Sequence, residues 1–114
     1  MIELEKNNYI NRLLQFYEVL LTKKQKEYIS LYYGEDYSLG EISEEFSVSR
    51  QAVYDNIKRT VKLIEGYEDK LHLLRDFDRR NAKLDKINEY VKSNYANDQT
   101  LQSMLSKLTI IEEE

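Results

Sequence analysis

Cysteine is absent from the 114 residues, which excludes disulfides, thiolate metal ligands and thiol nucleophiles together. Proline is absent too and glycine occurs only three times, so long uninterrupted helices meet few breakers. No apolar run approaches the roughly 18 residues that cross a bilayer. The single histidine, His72, has no second ligand of its type nearby, which leaves packing or a solvent edge as its role. A phosphate-cradling glycine loop, a nucleophile elbow and a triad are missing. The carboxylate pairs Glu44/Glu45 and Asp76/Asp78 diverge by about 100° and 200° around a helix, so neither converges on one substrate atom. No cofactor or metal is expected, and no enzyme. The opening Met1-Ile2-Glu3-Leu4-Glu5 lacks the charged and apolar regions of a signal peptide, so a cytoplasmic location is expected.

What is present is charge and helical rhythm. One third of the residues are charged and aliphatic residues recur every three or four positions, which predicts an all-α chain of about one domain in size. The net charge is −4, and neither Met1 to Leu21, Thr22 to Gly66 nor Tyr67 to Glu114 is basic in total. Duplex DNA draws much of its affinity from neutralised phosphates, so any cationic footprint here must come from local arrangement.

Tyr9, Ile10, Leu13, Leu14, Tyr17, Leu20 and Leu21 predict a first amphipathic helix over Glu3 to Leu21. Thr22 with Gln25 forms a capping box, and Gly34 stands where a left-handed cap is wanted, so a second helix is expected over Lys23 to Tyr33. Ser38 with Glu41 starts a short third helix, and Ser49 starts the next, with only a tight turn between. Ile42, Phe46, Val48, Val53 and Ile57 fall where a crossed pair would seal its shared core, the arrangement of a helix-turn-helix.

The apolar stripe then runs on through Val61, Ile64, Tyr67, Leu71, Leu74 and Phe77, and resumes with Leu84, Ile87, Val91 and Tyr95. It predicts a helix continuing through Gly66 to about Arg80, with His72 inside it. A seam of that length exceeds what a single small core can cover, so self-association is expected. Thr100 is read as the start of a last helix over Leu101 to Leu108, with Leu101, Met104, Leu105 and Leu108 packed as a lid, before an acidic tail from Ile110 to Glu114. The division expected is 1–66 for the helix-turn-helix unit and 67–114 for a helical extension that dimerises.

Opposite the apolar stripe, Gln51, Asp55, Lys58, Arg59 and Lys62 share an outward face. Ser49 and Arg50 lie at the helix start, where base edges or phosphates are met, and Gln51 can pair bidentately with adenine. Lys58, Arg59 and Lys62 suit phosphates, and Tyr54 a thymine methyl or a phosphate. Lys23, Lys24 and Lys26 are further candidate contacts. The ten tyrosines fall mostly on apolar stripes and are read as core and interface residues.

Leu21-Thr22-Lys23-Lys24-Gln25, Tyr32-Tyr33-Gly34-Glu35-Asp36-Tyr37-Ser38-Leu39, Ile42 and the run Val48 to Arg59 resemble the DNA-reading region 4 of bacterial sigma factors. Along its whole length the chain resembles the small YlxM family of helix-turn-helix proteins. The resemblance implies an all-α fold, a homodimer joined through long helices, and a link to the signal recognition particle pathway. Ser43 and Ser47 stand where sigma-like motifs commonly carry alanine and glycine. The expectation is a DNA-binding regulatory protein reading with Ser49, Arg50, Gln51, Tyr54, Lys58, Arg59 and Lys62. The alternative is an adaptor that contacts the signal recognition particle protein or its RNA and keeps the crossed helices as a scaffold.

Overall fold

A computed structural model describes residues 3–110, and all regular structure among them is helical, as the composition predicts. The order is α1 (Glu3–Tyr17), a 3-10 turn (Glu18–Leu20), α2 (Lys23–Tyr33), α3 (Leu39–Phe46), α4 (Arg50–Leu71), α5 (Leu73–Asn94) and α6 (Gln99–Ile110). Two compact units result, Met1–Leu74 and Arg75–Glu114. The division expected at Gly66 falls inside α4.

Each short helix of the first unit begins on its own cap. The Thr22 hydroxyl accepts from Gln25 N at 3.2 Å while Gln25 Oε1 accepts from Thr22 N at 3.0 Å, so two orphan donors are satisfied reciprocally. Ser38 and Glu41 repeat the arrangement at 3.0 Å in both directions. The Glu41 carboxyl is thereby held below its ordinary range, chiefly by the Ser38 backbone N–H and then by the Ser38 hydroxyl. Because Leu21 must turn extended to deliver Thr22 as a cap, α1 cannot run to Leu21 as expected and tightens into the 3-10 turn after Tyr17.

Gly34 corrects another expectation. Its φ is −94°, not left-handed, and the left-handed residue of that loop is Asp36 at φ 60°. Glycine matters there for space, since a Cβ would stand 2.7 Å from the Ser30 carbonyl oxygen.

The third element ends at Ser47, which is left-handed at φ 55° and ψ 44°. Val48 N then donates to Ser43 O at 3.1 Å, closing the turn. Ser49 accepts from Ala52 N at 3.0 Å and starts α4, which passes through Gly66 unbroken. It does not reach Arg80. His72 is left-handed at φ 56° and α5 begins at Leu73. The cause is a buried polar knot that hydrophobic spacing cannot show. Glu68, only 8% exposed, accepts from the Tyr17 hydroxyl at 2.6 Å and from Leu74 N at 3.0 Å, while Leu73 N donates to the Tyr17 oxygen at 3.2 Å. A carboxylate at the start of α5 satisfies backbone donors that would otherwise be orphaned and suits the positive end of that helix.

The core of this unit draws Ile10, Leu13, Leu14 and Tyr17 from α1, Tyr28 and Ile29 from α2, Ile42 from α3, Val53, Ile57, Val61 and Ile64 from α4, and Leu74. Phe46 and Val48 pack against it, so the crossed pair is sealed where the spacing predicts. Tyr28 and Phe46 meet edge to face at 5.0 Å. Thr60 is fully buried yet satisfied, its Oγ1 donating to Asn56 O at 2.8 Å.

The second unit is thinner. Leu84, Val91 and Leu105 are buried, with Leu101 packed against them. Ile87, Tyr90, Tyr95, Met104 and Leu108 are exposed, so only part of the expected lid face is covered. The α6 cap is Asp98, whose Oδ1 accepts from Leu101 N at 3.0 Å, and the helix begins at Gln99, just before the expected Thr100. Of the expected acidic tail, positions 111–114 lie outside the described residues. Among the described residues no helix is long and apolar enough to cross a membrane.

Candidate nucleic-acid interface

The amino-terminal half of α4 crosses α3 with Val53 and Ile57 turned into the core, which leaves the opposite edge outward. Ser49 spends its oxygen on the cap. Arg50 is exposed, and its guanidinium lies over Gly40, where a Cβ would stand 3.0 Å from Nη2. It lines a shallow depression with Tyr32, Ser38, Leu39 and Gly40. Gln51 Nε2 donates to Asp55 Oδ1 at 2.9 Å, so the carboxylate orients a side chain one turn away while keeping its negative charge on this face. That contact leaves the Gln51 amide oxygen and a second N–H unused, the pair an adenine edge would need.

Tyr54 is 46% exposed, and Lys58 Nζ lies 5.8 Å from its ring centroid, a cation over an aromatic face. Tyr54, Lys58 and Lys62 line one side of a groove of about 320 Å³ with Ile57 and Val61 at its floor. The rest of its lining is Lys6 and Asn7 of α1, Tyr32 and Tyr33 of α2, and Leu39. Arg59 is exposed and stands apart from both depressions. The structure therefore divides the predicted residues: Arg50 at the α3 side, Gln51 tied to Asp55, and Tyr54, Lys58 and Lys62 on the groove.

Lys23 and Lys24 are exposed, and Lys26 Nζ lies 3.9 Å from Glu18 Oε1; none of the three lines either depression. Lys6, Asn7, Tyr32 and Tyr33 are the groove residues that sequence reasoning missed. Their only linear signal is a place on amphipathic helices, and what brings them to α4 is packing between distant elements. One fixing contact is Asn11 Nδ2 donating to Tyr33 O at 2.9 Å, which ties α1 to the end of α2.

The charge on α4 reverses along its length. Near its far end the Tyr9 phenol is pushed up, first by burial and then by Glu65, Glu68 and Asp69. Among the described residues no cluster of His, Asp or Glu is placed to hold a metal ion.

Crossed helices around a left-handed turn, one of them with a free polar edge, define a helix-turn-helix protein. The chain belongs to the family described as "Putative helix-turn-helix protein, YlxM / p13 like" (UPF0122), which matches residues 4–105. It is 64% identical to the UPF0122 protein of Pediococcus pentosaceus, covering 99% of this chain and 100% of that protein. Identity to the UPF0122 protein of Lactiplantibacillus plantarum is 61%, over 97% and 96% of the two chains. The UPF0122 protein of Limosilactobacillus fermentum is 59% identical, over 97% and 98%.

Proposed function

We propose that this protein is a cytoplasmic DNA-binding regulator that reads duplex DNA with the outward edge of α4 and acts as a homodimer. The observation that carries the reading is the exposed set of Arg50, Gln51, Tyr54, Lys58, Arg59 and Lys62 on a helix whose opposite side is locked into the core. A cation in the first turn opposes the helix dipole, so α4 itself gains nothing from the charge of Arg50. Four cations per protomer give a salt slope of about −3.6, at roughly 0.9 per phosphate, which is weak binding unless two copies act together.

Titration of random-sequence duplex DNA at low salt tests the interface. Arg50→Ala with Lys58→Ala is expected to weaken binding at least tenfold, on the order of the 1–3 kcal/mol of one bidentate base contact. Equal affinity for both proteins would defeat the reading. Exposed Ile87, Tyr90, Met104 and Leu108 support a second copy as the partner of the second unit. Sedimentation of the wild type and of Ile87→Glu is expected to give a dimer and a monomer respectively.

The acidic balance of the chain favours one competing reading, an adaptor for the signal recognition particle protein or its RNA. Crosslinking in cells separates the two by whether DNA or that particle is recovered.

A further inference from the structure

We propose that the groove between α1, the end of α2 and α4 is a binding site for a nucleoside triphosphate. This goes beyond the DNA reading and stands without it. In a chain with more acidic than basic residues, the charged side chains lining this groove among the described residues are Lys6, Lys58 and Lys62, and no described carboxylate joins them. Neither Lys6 nor Lys62 makes an ion pair among the described residues. Three ammonium groups around one concavity, none with a carboxylate partner among the described residues, call for a polyanion, and lysine serves phosphate as a compact point charge.

The floor and walls call for something else. Tyr32 and Tyr33 meet at 5.0 Å with their planes 89° apart, forming a corner of two rings, and Leu39, Ile57 and Val61 complete an apolar bed. Phosphates alone would leave that bed wet, whereas a purine laid against it buries a flat face while its phosphates reach the lysines. At about 320 Å³ the groove lies within the size range of small-molecule sites. Duplex DNA presents phosphates without a free base face, so it satisfies the ammonium groups and not the tyrosine corner.

Calorimetric titration of the full-length protein with ATP and with GTP tests the site, with adenosine and tripolyphosphate as separate arms. Both nucleotides, or one of them, are expected to bind at least tenfold more tightly than either fragment. Lys6→Glu, which lies off the α4 edge, is expected to weaken nucleotide binding at least tenfold, the loss of one charge-assisted contact. Lys70→Ala, the removal of a charge elsewhere on α4, is expected to leave it unchanged. Thermal melts of both variants establish that they fold, and shifts of the Tyr32 and Tyr33 ring resonances on adding ATP report the base.

Tripolyphosphate binding as tightly as ATP, a folded Lys6→Glu protein with wild-type affinity, or no nucleotide binding at all would overturn the proposal. Loss of duplex binding with nucleotide binding intact would strike only the DNA reading. The reverse pattern would strike only this one.

Discussion

The two units use hydrophobic residues differently. In Met1–Leu74, four helices converge, and Ile10, Leu13, Ile29, Ile42, Val53 and Ile64 retain no exposed surface. In Arg75–Glu114, two helices meet and bury Leu84, Val91 and Leu105, while Ile87 and Met104 stay 46% and 61% exposed. A pair of helices has only one mutual face, so residues flanking it remain in water until another surface covers them. Hydrophobic periodicity therefore means core in the first unit and, for much of the stripe, exposed surface in the second.

Mutations can break that contrast. Ile42→Ala is expected to cost about 3 kcal/mol, within the range of large-to-small changes at sealed sites. Ile87→Ala should cost less than about 1 kcal/mol, because the side chain is already half in water. Urea unfolding of both measures the difference, and equal losses would mean that the second unit is as well packed as the first.

Next in size is the buried knot. Glu68→Ala leaves the Tyr17 hydroxyl and Leu74 N without their acceptor, at a cost of roughly 2–3 kcal/mol for a buried hydrogen-bonded charge. Glu68→Gln keeps an acceptor and should lose less. If both variants melt like the wild type, the α4–α5 break does not depend on this contact.

The same knot sets a pH limit on the first unit. The Tyr17 phenol is pushed up to about 12, first by burial and then by donating to Glu68. Since the neutral phenol is favoured in the folded state, its contribution is complete below about pH 10, the unfolded value, and is lost as pH rises toward 12. Tyr17→Phe should flatten the fall in stability across that window. A fall of the same steepness in Tyr17→Phe would assign it to other groups.

The smallest effect concerns the turn. Ser47 pays the left-handed penalty that glycine avoids, so Ser47→Gly is expected to stabilise the protein by about 1 kcal/mol. A thermal melt reads it. Unchanged DNA affinity would show that the turn's strain serves no reading function.

Much of the fold was legible locally. Thr22, Ser38 and Ser49 announce three helix starts because a cap is made within four residues, and the structure places all three as read. Ends were harder to read. None of the three glycines has positive φ, while Asp36, Ser47 and His72 do, because these stops answer to Leu31, Ser43 and Glu68 rather than to the capping residue's own preference. The polar edge of α4 was legible for the same reason as the caps, since one helix face follows from spacing alone. The groove was not, because Lys6 and Lys62 are brought together only when α1 packs on α4.

By itself, the sequence determined that the chain is helical, where α2, α3 and α4 begin, and which stripe of each is apolar, since these depend on neighbours three or four residues away. Tertiary structure alone decided that α4 stops at Leu71, that Glu68 is buried against Tyr17, and that three lysines surround one tyrosine-lined groove. Those outcomes rest on contacts between residues far apart in the chain, and such contacts leave no period in the sequence to read.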